Sequence, residues 1–250
     1  MDSSADMLAH PFGVESETNI RICRVDMDAL VQQWFGHTGM EDLRRPARHL
    51  DAHPRIEAWL ATEEQGTLNH FKSLKRQVEW LAGRVAVKIL VAGGLGAGLP
   101  APEIRVAHDP QGAPFLPGFP DHCLSITHAG RFAAAAVSLD PKTAVGIDIE
   151  RLPIPAGDAF LKVAFSDRER QSLDPGDGQT LARAWTLKEA YLKYIRQGFH
   201  RSLHQVEWLN GRVLDDGRTA PVNWEVISLA HDHLLAVIWG PCRHRGSNAA

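Results

Sequence analysis

Apolar residues recur at helical spacing at Leu68, Phe71, Leu74, Val78, Leu81 and Val85, which predicts one long helix. Thr62 with Gln65 resembles a capping box that opens it, and Gly93 and Gly94 stop it. The period then shortens. Strand-like runs follow in EIRVAH, CLSITHAG, FAAAAVSLD and AVGIDIE, with a turn through GAPFLPGFPD after the first. In FSDRERQSL, Ser166 stands three residues before Glu169, a second capping-box pattern. LARAWTLKEAYLKYI reads as a helix stopped near Gly198, and the strands VEWLNGRVL, NWEVISL and HLLAVIW complete the chain. Each half offers a long helix followed by short strands. The expectation is an α+β protein of two lobes, residues 17–142 and 143–240, with a flexible leader (1–16) and tail (241–250).

Composition narrows this picture by exclusion. Of 250 residues, 27 are Lys or Arg and 30 are Asp or Glu, a net charge of -3 that argues against bulk nucleic-acid binding. The three cysteines, Cys23, Cys123 and Cys242, form no paired motif, so neither a disulfide framework nor a cysteine zinc site is expected. The acidic N-terminus lacks an apolar signal core, and the apolar stretch after Lys88 is glycine-rich and too short to span a membrane. A cytoplasmic protein with no membrane partner is the expectation. GGLGAG at 93–98 follows a helix and precedes Pro100, so it reads as a helix stop rather than a dinucleotide-binding fingerprint.

Candidate chemistry begins in GIDIE. Side chains alternate along a strand, so Val145, Ile147 and Ile149 point one way while Gly146, Asp148 and Glu150 point the other. Two acids on one face suit a hard cation such as Mg²⁺, although a solvated edge strand accounts for the pair equally well. On the later helix, Leu187, Tyr191, Tyr194 and Ile195 make an apolar stripe, with Glu189 and Lys193 on nearly the opposite side. Alone that is an ordinary i,i+4 ion pair; beside the strand it supplies a third metal ligand and a phosphate-binding cation. Thr127 and His128 end a strand and present a hydroxyl and an imidazole. Arg76 and Arg84 lie eight residues apart, with Lys88 one turn further on, so they either line one phosphate-binding face or form a solvated one.

In order, KRQVEWLAGR, GAPFLP, LSITHAG, VGIDIE and WTLKEAYLK, spanning residues 75–193, resemble the motif set of the Sfp-type 4′-phosphopantetheinyl transferases, most of all the siderophore-pathway branch with an LAGR element. The resemblance implies a pseudo-dimer of two similar α/β lobes, each a small, largely antiparallel sheet packed on a long helix, with coenzyme A bound between them. It implies Asp148, Glu150 and Glu189 as Mg²⁺ ligands, and Lys193, His128 and Thr127 at the coenzyme's pyrophosphate. Arg76 and Arg84 match positions that reach the nucleotide end. Two positions depart from the family pattern: Ala113 stands in the G-x-P turn where a cation is common, and Ala129 follows the histidine where serine is frequent. The activity implied is transfer of phosphopantetheine to a serine of an apo acyl or peptidyl carrier protein by a monomeric enzyme. A Mg²⁺-dependent phosphohydrolase and a catalytically silent carrier-binding relative are the alternatives.

Overall fold

The computed structural model describes residues 9–13, 19–36, 50, 53–96 and 98–242. The remainder of the expected leader and tail, residues 1–8, 14–16 and 243–250, lies outside the described residues. The first described strands are β1 (Ala9–Gly13) and β2 (Ile20–Asp26), so five residues of the expected leader lie along β2 as an edge strand. Among the described residues the helices α1 (Met27–Phe35), α2 (Pro54–Trp59), α3 (Thr62–His70) and α4 (Leu74–Ala92) follow. A two-residue hairpin, β3 (Ala107–His108) and β4 (Pro114–Phe115), leads to β5 (Leu124–Ala129) and β6 (Phe132–Ser138). Strands β1, β2, β6 and β5 form an antiparallel sheet in that order, on which α4 packs.

The second half repeats the plan. It comprises β7 (Thr143–Arg151), α5 (Asp158–Ala164), α6 (Asp167–Ser172) and α7 (Gly178–Tyr194). The strands β8 (Val206–Leu209), β9 (Arg212–Asp215), β10 (Arg218–Thr219), β11 (Asn223–Ala230) and β12 (His233–Pro241) follow. Helix α7 packs on the antiparallel sheet β11-β12-β7, and β10-β9-β8 forms a smaller sheet beside it. This is the expected α+β architecture of long helices on small antiparallel sheets. Among the described residues no helix is long and apolar enough to cross a membrane.

The two sheets meet face to face. Ile20, Ile22, Phe132, Ala134 and Ala136 of the first pack against Val145, Ile147, Ile149, Leu235 and Val237 of the second. On β6 the alternate residues Ala133, Ala135 and Val137 face the α4 core instead. The run FAAAAVS is therefore buried on both faces, and its small side chains let helix, sheet and second sheet approach closely.

Four details differ from the sequence reading. The helix expected across residues 62–92 breaks at 71–73, where Phe71 and Ser73 are extended. Gln77 stabilises the break by donating its side-chain amide to the carbonyls of Leu68 and Phe71, both at 3.2 Å. Helix α3 is capped one residue earlier than expected, with Glu64 accepting from the Ala61 N–H at 3.1 Å. EIRVAH is strand only at Ala107 and His108, because Ala101–Glu103 is a 3₁₀ turn. VEWLNGRVL folds back on itself at Asn210 and Gly211, whose φ values of 51° and 73° fit the type I′ turn that Asn-Gly favours. The Ser166–Glu169 capping box forms as expected, with bonds of 3.2 and 2.8 Å.

Candidate active site

The site is built where β7 crosses α7. Gly146 makes the crossing close: a Cβ there would lie 2.2 Å from the Ala190 carbonyl oxygen and 2.3 Å from the Tyr194 nitrogen. Helix backbone thus rests on strand backbone, and the next two residues on that face, Asp148 and Glu150, are held against the helix. Val145, Ile147 and Ile149 enter the core between the sheets, as alternation requires. Leu187, Tyr191 and Tyr194 of α7 are buried on its apolar side, which leaves Glu189 and Lys193 to meet the strand's acids.

Asp148 Oδ1 accepts from Lys193 Nζ at 2.7 Å and from the Thr127 hydroxyl at 3.0 Å. Glu150 Oε1 accepts from the indole N–H of Trp185 at 2.8 Å. Two buried oxygens, Asp148 Oδ2 and Glu189 Oε1, have no hydrogen-bond partner. Burial, reinforced by the charge of Asp148, pushes the Glu189 carboxyl up to about 7 and raises Glu150 as well. One ammonium therefore faces three carboxylates, and acceptor capacity is left over. Among the described residues no three of His, Cys, Asp or Glu close into a ready-made metal cage. The all-oxygen donor set and the unpartnered oxygens nevertheless fit a hard divalent cation.

Strand β5 brings the first half of the chain into the site. The Thr127 hydroxyl that donates to Asp148 also accepts from the Ile149 N–H at 3.1 Å, and the Ser125 hydroxyl accepts from the Ile147 N–H at 3.1 Å. The Thr127 proton is thus spent on orienting Asp148. Next to it, His128 Nε2 accepts from Arg76 at 3.0 Å. Arginine can only donate, so this bond selects the neutral imidazole with its proton on Nδ1. Burial lowers the His128 pKa, and the nearby cations Arg76 and Lys193 add to that against the pull of Glu79.

Arg84 and Lys88 do not extend the Arg76 face. The side chain of Arg76 is 51% exposed and that of Arg84 only 6%. Eight helical residues turn through about 800°, which leaves about 80° between the two arginines. Arg84 lies over the Trp80 ring at 4.6 Å and beside Glu64 at 3.7 Å. Lys88 is fully buried, bonding Glu64 at 2.6 Å and the carbonyls of Ala101 and Ile104 at 2.8 Å each. Neither reading of this face as a row of surface cations describes what is found: two of the three close a buried junction between α3 and α4.

Three contributing residues, two of them fixed positions of the WTLKEAYLK motif, were given no role from the sequence. Trp185 stands four before Glu189 and shares its helix face, so i,i+4 spacing could have found it. Lys188, next to Glu189, points instead to buried Glu169 at 2.6 Å, whose other oxygen accepts from the Trp208 N–H at 2.8 Å. It fixes α7 to α6 and β8. Ser125 acts through a contact between β5 and β7 that no local pattern announces.

The chain is similar to several known proteins of one family. A family model described as the 4′-phosphopantetheinyl transferase superfamily matches residues 144–238, which include Asp148, Glu150, Glu189 and Lys193. A holo-[acyl-carrier-protein] synthase of Exiguobacterium sibiricum is 32% identical over 117 residues, 44% of this chain and 91% of its own length. A 4′-phosphopantetheinyl transferase of Bacillus subtilis is 27% identical over 170 residues, 66% of this chain and 72% of its own. An L-aminoadipate-semialdehyde dehydrogenase-phosphopantetheinyl transferase of Xenopus laevis is 25% identical over 211 residues, 73% of this chain and 68% of its own. A relative from Synechocystis sp. is matched over 63% of its length. With these likenesses added to the Asp148–Glu150–Glu189–Lys193 cluster, the chain belongs to the 4′-phosphopantetheinyl transferase superfamily.

Proposed function

We propose that this protein transfers the 4′-phosphopantetheine arm of coenzyme A to a serine hydroxyl of an apo carrier protein, releasing 3′,5′-ADP in a Mg²⁺-dependent reaction. The observation that carries the reading is the pair of buried, unpartnered oxygens on Asp148 and Glu189 beside Lys193. Asp148, Glu150 and Glu189 would hold the ion, which when bound offsets the negative charge of the pyrophosphate. Lys193 spends one short hydrogen bond on Asp148 and a long one, 3.5 Å, on the Ile126 carbonyl, and its third N–H is available to a phosphate oxygen. Thr127 keeps Asp148 oriented, and His128 with Arg76 presents an imidazole N–H and a guanidinium to the remaining phosphate oxygens. Arg84, buried over Trp80 and beside Glu64, is left out of this set of phosphate contacts.

In the transfer, the serine oxygen of the carrier forms a bond to the phosphorus that bears the pantetheine arm. The pyrophosphate P–O bond breaks and 3′,5′-ADP leaves. The serine proton goes to Glu189 or to a water held by the three acids. The nucleophile belongs to the partner, so no serine of this chain is required. We place the enzyme in the cytoplasm as a monomer. The surface of residues 155–182, between β7 and α7, is assigned to the carrier, which would be of the fatty-acid, polyketide or nonribosomal-peptide kind.

Two measurements test this. Incubation with coenzyme A, Mg²⁺ and an apo carrier protein should increase the carrier mass by one phosphopantetheine arm. Release of phosphate or nucleotide without a carrier would make the protein a phosphohydrolase instead, and no turnover would leave only carrier binding. Separately, Mg²⁺ alone should raise the melting temperature, as any ligand selective for the folded state does, and Asp148→Asn should remove the shift. No shift, or one that survives Asp148→Asn, would reject the metal assignment.

A further inference from the structure

A cavity of about 200 Å³ opens beside Lys193. Its walls include Gln111, Gly112, Ala113 and Pro114 of the β3–β4 turn, and Arg196 just past the end of α7. The turn owes its shape to Asp109, whose Oδ1 accepts from the N–H groups of Gln111 at 3.0 Å and Ala113 at 2.8 Å. The other oxygen, Oδ2, accepts from Arg196 Nη2 at 2.9 Å, and the same nitrogen lies 3.4 Å from the Ala113 carbonyl oxygen. One carboxylate thus shapes the turn with one oxygen and ties it across the chain's two halves with the other.

The backbone of Arg196 adds an independent observation. Its φ is +58°, in the left-handed region that disfavours any residue with a Cβ. Glycine would end α7 at this point without strain. Arg196 closes α7 in a Schellman turn, with Gln197 N–H bonding the Leu192 carbonyl at 3.2 Å; an arginine in that left-handed position, where glycine is the usual residue, with its side chain bonded to Asp109 on the cavity's lining turn, points to a role in the cavity beyond ending the helix. It stands three positions after Lys193, and its N–H bonds the Lys193 carbonyl at 3.1 Å. The brace and the phosphate-binding ammonium therefore share one helix end.

We propose that Arg196 is a positioning residue for coenzyme A: its ion pair with Asp109 clasps the 109–114 turn to the end of α7 and fixes the width of the cavity in which Lys193 acts. The inference rests on the function proposed above. Its test is a comparison of wild type with Arg196→Gly, Asp109→Asn and the double variant, by calorimetric titration with coenzyme A, steady-state transfer to a carrier protein and thermal melting. Arg196→Gly should keep or raise the melting temperature, since glycine relieves the backbone. It should also weaken coenzyme A binding and raise KM about tenfold, the scale of one lost charge-assisted hydrogen bond, with kcat unchanged. The double variant should be no weaker than either single one, because all three break the same pair. Wild-type affinity and KM in Arg196→Gly, or a loss of kcat that follows a lower melting temperature, would overturn the clasp. A wild type that binds coenzyme A but transfers nothing would defeat the transferase reading alone, since the titration still judges the clasp; a wild type that does not bind coenzyme A defeats both.

Discussion

Glu189→Gln is expected to slow phosphopantetheine transfer by about 10²–10³-fold, the usual cost of removing one preorganised electrostatic group from an active site. The melting temperature, by contrast, should stay level or rise. Both halves follow from the position of the side chain. Glu189 is buried, and its Oε1 has no hydrogen-bond partner. Its charge faces that of Asp148, and burial with that repulsion makes the ionised form costly. Glutamine keeps the shape, removes the charge and offers an amide to neighbouring oxygens. A residue whose neutralisation stabilises the fold but removes turnover is held for chemistry rather than for structure. Mass measurement of the carrier and a melting curve check the two effects; near-normal turnover would remove Glu189 from the mechanism.

Among the described glycines, Gly146→Ala should be the most damaging change. The added carbon would sit 2.2 Å from one backbone atom of α7 and 2.3 Å from another, and neither can move without the helix. Overpacking of this kind costs about 3 kcal/mol at the upper end of its usual range. Relief requires lifting α7 off β7, which carries Glu189 and Lys193 away from Asp148. A displacement of about 1 Å is enough to cost about 10²-fold in rate. Urea unfolding and single-turnover transfer measure the two effects, and a stability change below about 0.5 kcal/mol would mean that helix and strand do not touch there.

How much of this was legible in the sequence depends on whether the determining contact was local. The period of two in AVGIDIE put both acids on one face, and the spacing of Glu189 and Lys193 put them together on α7. Both arrangements are set by backbone geometry within a few residues, and the structure contains both. The Ser166–Glu169 box is local in the same sense. Arg84 and Lys88 went elsewhere because a spacing constrains angles around a helix but not what packs against each angle. There Glu64, from another helix, claimed them. The break at 71–73 was hidden because the apolar period runs on through Phe71 and Leu74, while the side chain that secures it, Gln77, reads as an ordinary polar position. The Asn-Gly turn at 210–211 was present in the letters and needed only its turn chemistry to be read. Thr127 as an orienting group for Asp148 exists only once β5 and β7 lie side by side.

That side-by-side placement also bears on solubility. β7 pairs with β12 along one edge only, so its other edge would carry free N–H groups, a template on which a strand of another molecule could build. Ser125 and Thr127 occupy the N–H groups of Ile147 and Ile149 on that edge with their hydroxyls. A side-chain hydroxyl satisfies the donor without extending the ladder. The strand that carries Asp148 and Glu150 is thereby closed to strand addition, and the same threonine that aims Asp148 helps guard the protein against self-association.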